Sequence, residues 1–133
     1  MRAIRIFAGT DGASQFEDLD VPLADVAAGL RASERLPALG VVFIEDNGKD
    51  ELHRGTAPQR QFVLVLQGAL EVEVSDGSSR RIGPGDVVLA EDTTGRGHIT
   101  RGVETPRRAV FIAVPDELDV SGWRQRAVEA TGA

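Results

Sequence analysis

Cysteine and tyrosine are absent from this chain, histidine occurs only at His53 and His98, and lysine only at Lys49. The missing thiols exclude disulfides, thiolate metal sites and cysteine nucleophiles. The missing phenols remove tyrosine as an acid–base group. Aromatic residues are sparse, and no apolar run is long enough for a signal peptide or a membrane span, so the expected location is the cytoplasm, with no membrane partner. Basic side chains are also in deficit. Asp and Glu number 21 against 15 Lys and Arg, a net charge of −6. Such a surface repels phosphate backbones, and the pairs Arg80–Arg81 and Arg107–Arg108 read as strand-edge charges, so no nucleic-acid partner is expected.

What is present is a two-residue alternation with turn punctuation. Strands are expected over 3–8, 15–21, 40–45, 61–67, 69–75, 79–83, 86–91, 97–102 and 108–114, separated by "QG", "SDGS", "GPGD" and "TTGRG". Many short strands at this spacing predict an all-β sandwich or barrel. Residues 22–37 are expected to hold a helical turn or a covering arm, and the tail "DELDVSGWRQRAVEATGA" has weak helical character with Trp123 as a packing anchor.

In "ALEVEVS" the apolar residues Leu70, Val72 and Val74 alternate with Glu71 and Glu73, which predicts one wet face. In "QFVLVLQ" and "RAVFIAV" both alternating sets are apolar, which predicts burial on both sides. A small barrel buries only its interior, so the terminal segments or a second subunit must cover the outside. A homodimer is therefore expected.

The stretch from "HRGTAPQRQFVLVLQG" to "RIGPGDVVLAEDTTGRGH" resembles the cupins, whose two motifs are a histidine-rich strand ending in an acid and a glycine, and a "GD" turn followed by a strand and one more histidine. Gln61 to Gly68 matches the acid-to-glycine spacing of the first motif, and "GPGDVVLAE" the opening of the second. Within that family the chain is most similar to small bacterial single-domain proteins with an "EDTTG.GH" loop, for which the resemblance implies no particular activity. It implies a single cupin (double-stranded β-helix, or jelly-roll) domain over residues 1–133. Its core barrel would span about 40–114, preceded by strands and an arm over 1–39 and followed by a tail over 115–133.

The usual cupin metal site takes three histidines and a carboxylate, and this chain has two histidines in total, so the motif is degenerate. The amide of Gln61 stands where the family has its acid, and amides bind metal poorly. Two readings of the site follow. In the first, no cofactor is required. His98, His53 and Glu91 are the catalytic candidates, with a carboxylate orienting an imidazole that acts as general base. Gln61, Asp92, Thr93 and Thr94 would contact a small polar metabolite, and Arg54 and Arg60 would clamp a carboxylate at the rim. In the second, His53 and His98 hold Fe, Zn, Mn or Ni together with Glu91 or Asp92, as in metal-dependent oxygenases. A third possibility is a non-catalytic ligand-binding barrel. No phosphate-binding "GxxxxGK[ST]" loop and no serine in a nucleophile elbow is present.

Overall fold

The computed structural model describes residues 1–124, and of the expected helical tail residues 125–133 lie outside the described residues. The strands are β1 (Arg2–Ala8), β2 (Ser14–Asp20), β3 (Ala24–Ala27), β4 (Leu30–Ala32), β5 (Gly40–Asp46), β6 (Leu52–Gly55), β7 (Gln61–Glu73), β8 (Ser79–Ile82), β9 (Val87–Ala90) and β10 (His98–Ala113), followed by one 3-10 turn at Ser121–Trp123. This is the all-β class expected from the alternation and the turn signals. Among the described residues no helix is long and apolar enough to cross a membrane.

Eight strands form one mixed sheet in the order β2-β1-β9-β7-β10-β5, with β8 joined to β7 and β6 to β10; only β1 and β9 pair in parallel. The segments 61–67 and 69–75 merge into one bent strand, β7, and 97–102 and 108–114 merge into β10. The bend in β7 falls at Gly68, whose φ of 75° suits glycine, and a Cβ there would lie 2.6 Å from the carbonyl oxygens of Glu104 and Pro106. Across from it the β10 ladder shifts register between Gly102 and Arg108, where Pro106 has no N–H to offer. Each long strand thereby contributes one half to each of two facing layers.

At one side the layers are joined by side chains. Arg80 of β8 donates to Asp18 of β2 at 2.6 Å, and the Ser14 and Ser75 backbone amides donate to each other's hydroxyl oxygens at 2.8 and 3.0 Å. The Arg80 guanidinium, with Arg2 on its other flank, holds the Asp18 carboxyl below the usual aspartate range, and it also stacks 4.9 Å over Phe16. The opposite side is an open edge formed by β5 and β6.

Ile4, Ile6, Val65, Leu70, Val72, Val74, Ile82 and Val88 pack between the layers. The other face of β1, β9 and β7 buries Ala3, Leu19, Phe62 and Leu89 against Val114, Val120 and Trp123, with Trp123 stacked on Phe62 at 6.2 Å. The double burial expected for "QFVLVLQ" holds only at its start, where the chain's own terminal segment covers Phe62; further along, Leu66 is exposed by 58%. The arm 22–37 forms no helical turn. A β3–β4 hairpin occupies it, because Gly29 at φ 73° lets the chain reverse within two residues, while Leu23 and Leu36 pack against the outer core.

Candidate functional site

The layers enclose a cavity of about 230 Å³ whose walls are mostly apolar, including Ile6, Val63, Val88 and Phe111. A few polar groups interrupt that wall, namely His53, Thr56, Gln61, His98, Thr100 and Arg107. A concave apolar space with a small number of placed polar groups is the usual form of a small-molecule site.

His98 opens β10 and Thr100 follows two residues later, so both point to one face. Thr100 stands opposite His53 of β6 and His98 opposite Gly55, which makes His53 and His98 diagonal neighbours on the cavity wall. Gly97, at φ 72°, allows β10 to approach β6 so closely, because a Cβ at that position would collide with the backbone of Gly55. Gln61 reaches the cavity from the start of β7 and is buried.

The imidazole of His98 meets Asp92, with Nδ1 2.5 Å from Oδ2. Asp92 is completely buried, His98 keeps 16% of its side chain exposed, and the second carboxylate oxygen, Oδ1, has no hydrogen-bond partner. The loop is held from both flanks: the Asp92 carbonyl accepts from Ala57 N–H at 3.1 Å, and the Gly12 carbonyl accepts from Arg96 N–H at 2.9 Å. An ionised Asp92 accepts a hydrogen from Nδ1 and leaves the Nε2 lone pair of His98 as the basic position of the ring.

Glu91, expected beside His98, is elsewhere. Along β9 Val88 and Ala90 line the cavity and Asp92 follows in the same phase to meet His98, whereas Leu89 turns to the outer core and Glu91, in phase with it, meets Arg5 and Arg60. There Glu91 is bridged by Arg5 and by Arg60, the latter at 2.6 Å, and Arg60 also donates to the Pro115 carbonyl at 2.8 Å. Glu91 and Arg60 therefore fasten the outer face and lie outside the cavity wall. Arg54 sits opposite Ile99, one residue out of phase with His53, beside a separate depression that it shares with Arg96. The two arginines expected to clamp one carboxylate are thus on different parts of the surface. Thr93 and Thr94 are exposed on the loop.

Thr56 and Thr100 of the wall were not singled out from the sequence, and Arg107, expected to be a strand-edge charge like Arg108, is instead buried in the wall. Thr100 could have been found from its spacing to His98, and Arg107 from its spacing to Ala109 and Phe111, which share its face. Thr56 lies on a connection that no periodicity marks.

As a metal centre the donor set is thin. Among the described residues no three His, Asp or Glu side chains converge as ligands. His53 and His98 share the wall, but the carboxylate nearest to them, Asp92, is engaged with His98 Nδ1, and Gln61 adds only an amide. The residues present do not fit the three-histidine, one-carboxylate set that the family resemblance implies.

No family model and no curated protein matches the chain. Among solved structures it is similar to KdgF from a Halomonas species, at 28% identity over 72% of this chain and 91% of that one, with a TM-score of 0.42. It is also similar to a protein from Salmonella typhimurium LT2 described as an ethanolamine utilization protein Q, at 16% identity over 86% and 96% of the two chains, with a TM-score of 0.46. Both TM-scores fall below 0.5, so the function rests on the residues of this chain.

Proposed function

We propose that the chain is a small-molecule-binding cupin whose cavity carries a metal-independent acid–base centre, suited to lyase- or isomerase-type chemistry on a small metabolite. The observation that carries this reading is the fully buried Asp92 hydrogen-bonded to a histidine that forms part of the cavity wall. A buried carboxylate with a single imidazole partner is a costly arrangement, and such arrangements concentrate at functional sites. Asp92 orients the ring and balances the charge it acquires; Nε2 of His98 takes a proton from the ligand and returns it at the same or a neighbouring atom. Gln61, His53 and Thr100 supply hydrogen bonds that orient the ligand against the apolar wall.

The test is proton exchange. Small carbonyl metabolites incubated with the protein in deuterium oxide should exchange carbon-bound hydrogens, followed by proton NMR, and His98→Ala should stop the exchange. Ligand binding that survives His98→Ala with no exchange in the wild type would make the chain a binder without catalysis. Metal-dependent turnover lost in both His53→Ala and His98→Ala would replace this reading with the metal-centred one.

The same reading takes the chain as a homodimer. Among the described residues β5 ends the sheet with no strand on its outer edge, and Leu39, Val41 and Phe43 are exposed along it, Phe43 by 77%. A second copy brings the same edge in antiparallel orientation about a two-fold axis, which satisfies both rows of backbone groups and covers both apolar rows.

A further inference from the structure

Arg107 lies two residues before Ala109 and four before Phe111, and all three face the cavity. Its exposure is only 9%, so its positive charge is nearly removed from water. The compensation is partial. Nη2 donates to Oδ2 of Asp46, the residue opposite it on β5, at 2.8 Å, while Nε is buried without an acceptor. The other oxygen of Asp46, Oδ1, does not bond Arg107 and accepts instead from the Gly48 N–H at 2.7 Å. A guanidinium has five N–H donors in a planar fork, and here Nη1 has no partner among the described residues and is not sealed from solvent, so it is the donor open to a further acceptor.

We infer that Arg107 is the recognition residue for a carboxylate on the ligand, and that the site takes small monocarboxylates with an apolar body. This rests on the reading of the cavity as a ligand site and adds the ligand's chemical class. A carboxylate supplies the acceptors that Asp46 cannot, in the paired geometry that suits guanidinium. The cavity lining holds no second arginine and no lysine, which favours one carboxylate over two.

The experiment pairs acids with their neutral amides: lactate with lactamide, butyrate with butyramide and benzoate with benzamide, titrated calorimetrically into the wild type, Arg107→Lys and Arg54→Lys. Arg107→Lys keeps a cation opposite Asp46, so the fold is retained while the fork is lost; circular dichroism checks this. At least one acid should bind the wild type about tenfold or more tighter than its amide, the low end for a hydrogen bond to a charged group. Arg107→Lys should remove most of that preference, and Arg54→Lys, at the separate depression, should keep it. Equal binding of acids and amides, or a preference untouched in Arg107→Lys, overturns the assignment of Arg107 and leaves the cavity reading standing. Absence of binding by every acid and every amide overturns both.

Discussion

Asp92 and His98 are six residues apart in the chain and meet at 2.5 Å, because the loop between them turns back at Gly95 and Gly97, both with positive φ. The pair joins a group sealed from solvent to one that lines the cavity. In Asp92→Asn the amide retains the size of the carboxyl but can no longer hold the ring's hydrogen on Nδ1. Nitrogen NMR of the His98 side chain should show the Nδ1-protonated tautomer in the neutral wild-type ring and a mixture in the variant. Any proton exchange catalysed by the protein should fall by about 10²- to 10⁴-fold. An unchanged tautomer would remove Asp92 from the role of orienting His98.

Glu91 is predicted to serve stability alone. Its replacement by Gln leaves Arg5 and Arg60, both less than one-fifth exposed, facing each other across a neutral amide. Breaking a largely buried ion pair of this kind costs about 3 kcal/mol. Urea unfolding should register that loss, while ligand affinity of the folded variant stays as in the wild type. A variant of normal stability that fails to bind or turn over ligand would return Glu91 to the site.

The Asp18–Arg80 pair predicts an acid-sensitive seam between β2 and β8. Asp18 has its carboxyl pKa lowered from 3.8, first by the Arg80 hydrogen bond, with Arg2 adding to it against the opposing effect of burial. A depressed folded-state value means that the stabilisation is fully present above the unfolded-state pKa and disappears as pH falls through the folded one. Asp18→Asn should therefore be less stable than wild type near neutrality by up to about 1 kcal/mol, given the partial exposure of the pair. The two proteins should converge in the acid range below the ordinary aspartate pKa. A gap in melting temperature that is constant with pH would show that the pair contributes through packing rather than charge.

Phe43→Glu is expected to separate the proposed dimer. The substitution places a like charge on each copy at the shared edge, where the wild-type ring is exposed and β5 has no second neighbour. Sedimentation velocity at micromolar concentration should show a dimer for the wild type and a monomer for the variant, with unaltered circular dichroism. A monomeric wild type would end the proposal.

Much of the fold is legible in the chain because strand alternation and turn chemistry are local. Every expected strand from 3–8 to 108–114 has a counterpart, and the "QG" at Gly68 marks the corner of β7. The helical turn expected in 22–37 was misleading: the alanines of "ADVAAGLRA" favour a helix, and only the positive φ available to Gly29 tips the segment into a hairpin. At the site, alternation extended from Val88 and Ala90 already puts position 92 rather than 91 on the inner face. Whether the strand geometry continues past Ala90 depends on the contacts that Asp92 makes with Ala57 and His98, which are remote in sequence or lie across a loop.

By itself the sequence determined the fold class, the absence of thiol and phenol chemistry, and the small set of imidazoles from which any acid–base centre had to be drawn, since these follow from composition and short-range periodicity. Tertiary structure decided which polar side chains share the cavity. It set Asp92 behind His98, sent Glu91 and Arg60 to the outer face, and brought Arg107 into the wall opposite Asp46. Those assignments depend on strand register and on how the two layers close over one another, and a one-residue change of register exchanges the inner and outer faces of a strand.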